Sequence, residues 1–354
     1  MRVAYFGTYE RDYPRNAQVI SALRGAGVEV VERHEPVWEG REQKWGIGPT
    51  ALPRLVRAEL RLLRRGLPEA DALLVGYPGH FDLVAARRLA GKRPIVFNPL
   101  VALSDTLVED RGRFQRGSPA ARVLAAIDRR AFRASDLVVA DTQANAVFFA
   151  GLAGLPPGRL AVAFVGAEER LFRPGWAPQD PFTVVFVGKL IPLHGLETIL
   201  SAARLAPELP FRVIGSGQLE TLLDTRPPNV EWVPWVEYER LPAELHRAGC
   251  VLGVFGTSGK ARRVIPNKAF QALACGAPLV TADTPAAREL VTHGSDAVLV
   301  PPRDPEALVT AIRELAADLR LAARIGAAGL ETYRSRASED VLGRHWRALI
   351  EGLL

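Results

Sequence analysis

The sequence predicts an α/β chain built from two doubly wound, Rossmann-like halves. Three observations carry that prediction. Short runs of Val, Ile, Leu and Phe alternate with amphipathic stretches of helical length, the pattern of parallel βαβ units. The alternation runs through the first half and then restarts at FTVVFVG, residues 182–188. At 354 residues the chain is too long for one small core and long enough for two.

In the first half the apolar runs predict strands near 2–7, 28–32, 72–76, 94–98, 136–140 and 161–165. Between them, helical periodicity falls near 15–26, 53–65, 81–91, 118–134 and 143–153. After the restart come the helix GLETILSAARLA, the strands FRVIG and NVEWVP, a helix near 239–248, the strand VLGVFG and a helix opening near Pro266. The segment FRPGWAPQDP (172–181) holds three prolines and a glycine in ten residues and reads as a linker. The expected domains are therefore 1–175 and 176–335. The tail 336–354 is an amphipathic helix expected to pack back toward the N-terminal domain.

Composition excludes several classes. A content of 48% hydrophobic and 24% charged residues is that of a globular enzyme, and no run reaches the roughly 18 apolar residues that span a bilayer. The first residues carry no signal-peptide core. Cys250 and Cys275 stand without a CxxC or a ligand-like His spacing, so neither a disulfide framework nor a metal site is expected, and a reducing cytoplasm fits. Charge is unevenly placed. Residues 1–175 hold 26 Lys+Arg against 19 Asp+Glu, and the remainder 19 against 20. A basic first half suggests an anionic partner, either a phosphorylated acceptor or a lipid surface. Nucleic acid is disfavoured because no recognition motif accompanies the charge.

Three loops in the second half carry residues suited to an anionic ligand. Gly188 to Gly195 follows the strand VVFVG and precedes a helix, so the glycines let main chain turn beside a ligand while Lys189 adds charge. Ile214-Gly215-Ser216-Gly217 follows the next strand. A loop like the first is more often a plain turn, and the second reads equally as one. The segment from Thr257 to Lys268 is more specific: Lys260, Arg262 and Arg263 lead into Pro266-Asn267-Lys268 at the mouth of an apolar helix, a cationic helix N-terminus.

The segments VVFVGKLIPLHGLETILSAARL, RVIGSGQLE, NVEWVPWVEYERLPAEL, IPNKAFQALACGAPLVTAD, AARELV and VLVPPRDPEALVTAIREL resemble, in order and spacing, the C-terminal domain of family 4 retaining glycosyltransferases of the GT-B fold. The resemblance covers about residues 160–350. It implies two Rossmann-like domains facing a central cleft, a nucleotide-sugar donor, retention of anomeric configuration and no metal or other cofactor. By position, it assigns the donor to Gly188, Lys189, His194, Gly195, Gly217, Lys260, Arg263, Asn267, Lys268 and Gln271, with the base against Val233, Pro234 and Trp235. The family's two glutamates fall on Arg263 and Gln271, a pattern that resembles a subfamily with IPNK…Q in their place. Gln271 keeps an acceptor and a donor for ribose, whereas Arg263 suits a phosphate or an acidic sugar.

On the N-terminal side, strand ends offer Gly7, Thr8 and Asn98 for an acceptor of unknown identity, with His80 and Asp105 as catalytic candidates. His80 reads at least as well as a helix-start residue, whereas for Asp105 the site role is favoured over a helix cap. A nucleotide-sugar-binding protein without transfer activity, or an epimerase or hydrolase of the same fold, stays open. An NAD-dependent oxidoreductase is disfavoured because FGTYERDYP stands where GxGxxG is needed. Finally, a helix over 52–65 gathers Arg54, Arg57, Arg61, Arg64 and Arg65 on one side. Leu52, Leu55, Val56, Leu60, Leu62 and Leu63 lie on the other, with Glu59 among them. Such a helix suits peripheral contact with an anionic membrane, or else simple packing with solvated arginines.

Overall fold

The computed structural model describes residues 1–38 and 51–354. It divides into two compact units, Met1–Val165 with Glu339–Leu354, and Gly166–Ser338.

The first unit runs β1 (Arg2–Gly7), α1 (Pro14–Gly25), β2 (Glu29–His34), α2 (Ala51–Arg65), β3 (Ala72–Val75), α3 (Leu83–Ala90), β4 (Ile95–Phe97), α4 (Pro119–Ala134), β5 (Leu137–Ala140), α5 (Gln143–Ala153) and β6 (Leu160–Val162). Its strands are parallel in the order β2-β1-β3-β4-β5-β6. Leu62, Leu83, Phe132 and Phe149 bring α2, α3, α4 and α5 onto one face. Ile20 and Leu23 of α1 cover the other. Burial on both faces explains why β3 and β5 read as unbroken apolar runs. Helix starts follow local chemistry: the Ser118 hydroxyl accepts from Ala121 N–H at 3.2 Å and the Thr142 hydroxyl from Asn145 N–H at 3.0 Å. Each such cap contributes about 1 kcal/mol.

The second unit runs β7 (Val184–Val187), α6 (Leu196–Leu205), β8 (Phe211–Ile214), β9 (Val230–Val233), α7 (Leu241–Arg247), β10 (Cys250–Leu252), α8 (Asn267–Cys275), β11 (Leu279–Ala282), α9 (Pro285–Leu290), β12 (Val298–Val300), α10 (Pro305–Ala317) and α11 (Leu319–Arg336). Its parallel sheet has the order β12-β11-β10-β7-β8-β9. Apolar periodicity marks the elements of this unit as far as α8. β11, β12 and the helices after them are visible in sequence only as segments of the family resemblance. A last helix, α12 (Glu339–Glu351), packs on α1 of the first unit through Leu342, Trp346 and Ile350.

Residues 172–181 lie inside the second unit, tied to it by main-chain bonds. Ala177 N–H donates to the His246 carbonyl at 2.8 Å, and the Trp176 indole to the Ala248 carbonyl at 2.7 Å. The prolines here shape a strap along α7.

Helix α2 departs from its expected division. Leu55, Ala58 and Leu62 face the sheet, while Val56 and Leu60 are about half exposed, at 51% and 48%, beside the arginines. The buried arc runs through Glu59, whose carboxyl turns inward, and that rotation leaves Val56 and Leu60 outside. The side chain of Leu52 lies outside the described residues.

Candidate functional site

In each sheet the chain order reverses between two neighbouring strands, and open α/β sheets bind ligands beside the C-terminal ends of such strands. In the second unit the reversal lies between β7 and β10. The strand ends continue as a ladder: Gly188 N–H donates to the Ile214 carbonyl and Gly215 N–H to the Val233 carbonyl, each at 2.9 Å. Gly215, at φ +136°, brings its main chain so close that a Cβ there would lie 2.0 Å from the Gly188 carbonyl oxygen. Only glycine allows that approach. From β10, Phe255 and Gly256 N–H groups bind the His194 and Leu193 carbonyls at 3.1 and 3.2 Å, fixing the loop that ends at Gly195.

Lys268, the second residue of α8, is 5% exposed, and its Nζ lies 3.6 Å from the Phe186 ring centre without a hydrogen-bond partner. A Cβ on Gly188 would meet that Nζ at 2.8 Å and His194 Cε1 at 3.3 Å. The buried amine and the imidazole thus share one wall of the Gly188 turn. The His194 Nδ1–H donates to the Lys189 carbonyl, and the Lys189 side chain itself is exposed. Burial alone drives the Lys268 amine well below the usual lysine range.

Between β10 and α8 the chain turns on Ser258, whose hydroxyl accepts from Ala261 N–H at 3.1 Å, and Arg263 N–H closes on the Lys260 carbonyl at 2.9 Å. Lys260 is buried, Arg263 and Asn267 half-buried. Pro266 stands at the N-cap of α8 rather than in its first turn, and no side chain caps the helix. Its first N–H groups are therefore those of Asn267 and Lys268.

One turn further, buried Gln271 donates from Nε2 to the Tyr238 hydroxyl at 3.4 Å. The Tyr238 hydroxyl in turn reaches the Glu168 carboxylate, which Arg170 holds at 2.7 Å. Burial and then the Glu168 charge push the Tyr238 phenol up, keeping it a donor. An amide has two unlike ends, and this chain of bonds assigns its nitrogen to Tyr238. The sequence reading missed Tyr238, which no motif singles out. Past the end of β9, Trp235 is 72% exposed, an uncovered aromatic face on the ligand side of the sheet. Gly217, after β8, donates its N–H to Glu220 at 3.2 Å.

In the first unit the reversal lies between β1 and β3. A cavity of about 460 Å³, open mouth included, sits there among Thr8, Glu10, Trp38, Tyr77, His80 and Asp82. Asp82 accepts from both the main-chain N–H and the hydroxyl of Thr8, and a Cβ on Gly7 would strike its Oδ2 at 2.1 Å. The Trp38 indole donates to the Thr8 hydroxyl at 3.2 Å. His80 is 4% exposed at the cavity wall, with Nδ1 on the Pro78 carbonyl and Nε2 3.3 Å from Asp128. Burial lowers the imidazole pKa against the pull of Asp128. Asp128, also missed from sequence, is fully buried on α4 and accepts from the N–H groups of Leu103 and Ser104 and the Ser104 hydroxyl at 2.6–2.9 Å.

Asp105 is buried in a short π-helix, Asp105–Asp110, whose N-cap is Ser104. Asn98 is fully buried away from the cavity lining. Its Oδ1 accepts from Arg15 Nε at 2.8 Å, and the same guanidinium binds the carbonyls of Ala163 and Phe164. Burial pushes the Arg15 pKa down to about 10. No sequence signal marked Arg15, a buried cation that joins the ends of β4 and β6.

Residues 181–318, most of the second unit, match the family described as glycosyl transferases group 1. A D-inositol 3-phosphate glycosyltransferase of Catenulispora acidiphila is 27% identical over 96% of this chain and 82% of its own length. The lipopolysaccharide core biosynthesis glycosyltransferase LpsD of Rhizobium meliloti is 28% identical over 47% of this chain and 48% of its own. The chain is a glycosyltransferase.

Two solved structures share its fold. Sucrose-phosphate synthase of Thermosynechococcus elongatus superposes with a TM-score of 0.76 at 17% identity, covering 99% of this glycosyltransferase and 98% of that chain. HepE of Anabaena, solved with UDP-glucose, gives 0.73 at 17% identity over 99% and 100%. The glycosyltransferase has the GT-B fold of two Rossmann-like domains.

Proposed function

We propose that this enzyme transfers a sugar from a nucleoside-diphosphate donor of the uridine type to an acceptor hydroxyl, with retention of anomeric configuration and without a metal. The observation that carries the donor reading is the nitrogen-lined wall at the β7/β10 reversal. There Lys268 and His194 border the Gly188 turn, and the uncapped start of α8 offers N–H groups. A diphosphate placed there has its leaving-group charge met by preorganised donors, which lowers the barrier in any group transfer of this kind. Lys189, Lys260, Arg263 and Asn267 complete the phosphate side, Gln271 takes the ribose, and Trp235 takes the base. HepE, solved with UDP-glucose, supports the choice of uridine.

The acceptor is assigned to the first-unit cavity, whose Thr8, Glu10 and Trp38 offer hydroxyl, carboxylate and aromatic faces to a polyol. The named inositol phosphate relatives support a hydroxyl-rich acceptor. His80 and Asp105 remain the catalytic-side candidates of the first unit. Among the described residues the cavity lining carries no arginine or lysine.

The arginines of α2 are exposed, which favours a second reading: peripheral attachment to an anionic lipid surface from the cytoplasmic side. Exposed Val56 and Leu60 beside Arg57 and Arg64 support it. Among the described residues no helix is long and apolar enough to cross a membrane.

The test is an assay with UDP-, GDP- and ADP-sugars, with and without polyol acceptors and with chelator present, the product anomer read by proton NMR. Acceptor-dependent transfer from a UDP-sugar with the donor's configuration is expected. Inversion, or a metal requirement, overturns those parts of the reading.

A further inference from the structure

We infer that Lys268 is a neutral amine before the donor arrives and takes up a proton as the diphosphate binds, so that each donor captured carries a proton in with it. The inference rests on the donor reading above and adds a linkage that reading does not contain.

Lys268 Nζ is buried at the start of α8, lies against the face of Phe186, and has no hydrogen-bond partner. Among the described residues no carboxylate pairs with it. From the β7 side it meets the Phe186 ring and shares the wall of the Gly188 turn with His194. The acids named on the segments packed against α8, with Glu168 beside Tyr238, are held by other cations. Glu168 holds Arg170, Glu244 of α7 holds Arg212, Asp283 after β11 holds Arg288, and Glu331 of α11 lies 4.0 Å from Arg334. An ammonium there has lost its water and gained only an aromatic face. The neutral amine is the lower-energy form, in keeping with the downward displacement that burial imposes.

The same amine borders the place where the donor diphosphate is expected. It lies against the Gly188 main chain, at the reversal of the sheet and the uncapped end of a nine-residue helix. A diphosphate seated there brings the missing negative charge and favours –NH3⁺ over –NH2. The proton comes from solvent on binding and returns when the nucleoside diphosphate leaves, so no other co-reactant is required. Above the pKa of the unliganded amine, affinity should then fall by up to about tenfold per pH unit. At about pH 7.5 to 8.5 the nucleotide's own phosphates hold constant charge and contribute no slope.

The experiment is calorimetric titration of the full chain with UDP, GDP and ADP, in two buffers of different ionisation enthalpy across that range. The expected result is uptake of up to about one proton per nucleotide bound, with affinity falling as pH rises. Lys268→Met keeps the contact with Phe186 and removes the amine. It should raise the unfolding temperature, because an unpaired buried polar group is gone, while weakening nucleotide binding and abolishing both proton uptake and pH slope. Binding without proton uptake in the wild-type protein overturns the inference and leaves the donor reading standing. Proton uptake that persists in Lys268→Met also overturns it and moves the proton to another group. Failure of all three nucleotides to bind removes the donor reading and this inference together.

Discussion

Asp82 accepts the main-chain N–H of Thr8 at 2.7 Å and its hydroxyl at 2.9 Å, and so fixes the turn that forms one wall of the first-unit cavity. Glu59 of α2 brings a second carboxyl against it, with both oxygens buried. Two carboxylates in contact cannot both stay charged, so Glu59 keeps its proton far above the usual carboxylate range. Burial is the larger cause and the Asp82 charge the next. The folded protein therefore holds a proton that the unfolded chain releases. Stability is full below the ordinary glutamate pKa and is lost as pH rises toward the raised one. Glu59→Gln keeps a donor toward Asp82 without a titrating proton. Its unfolding temperature should exceed that of the wild type at pH 8 and match it near pH 5, by calorimetry. A wild-type unfolding temperature that does not fall over this range contradicts the pairing.

Lys189→Ala should leave the fold intact, because the side chain is exposed, and weaken nucleoside diphosphate binding. A charge-assisted contact contributes about 1.5–3 kcal/mol, or roughly ten- to a hundredfold in affinity. Thermal shift and calorimetry read both. Unchanged nucleotide affinity removes Lys189 from the phosphate site.

Gln271→Leu should cost nucleotide affinity, since ribose hydroxyls lose their partner. Gln271→Glu should be tolerated, a carboxylate still accepting from ribose. Tyr238→Phe tests the orienting bond at 3.4 Å, and should raise KM for the donor with little change in kcat. Full affinity in the Leu variant would sink the ribose assignment.

Peripheral attachment predicts that vesicles rich in anionic lipid sediment the protein at low salt and release it at high salt. The double variant Arg57→Glu with Arg64→Glu should lose most of that binding while keeping the unfolding temperature. Absence of wild-type sedimentation at low salt rejects the lipid surface.

The sheet strands were legible because both faces of each sheet are covered. Runs such as ALLV and VVFV are apolar throughout and bounded by turns. The Gly188, Gly215 and α8 loops were legible because glycine and proline mark them in sequence. Less visible were partnerships made across the fold. Nothing in sequence joins His80 to Asp128 or Glu59 to Asp82, and a lone Tyr238 carries no pattern. The rotation of α2 escaped periodicity for a related reason: a protonated glutamate can occupy the buried arc that pattern reading reserves for apolar side chains. For Asn98 the misleading feature was its place at a strand end, where the buried Arg15 claims it.

The central claim is that the donor diphosphate sits at the β7/β10 reversal, against the Gly188–Gly195 loop and the start of α8. Hydrogen exchange of the full chain with and without saturating UDP tests it most directly. The account predicts slowed exchange in residues 188–195, 214–217 and 266–271, with the β1 and β3 strand ends of the first unit unchanged. Slowing confined to the first unit, with those three segments exchanging as before, would contradict it.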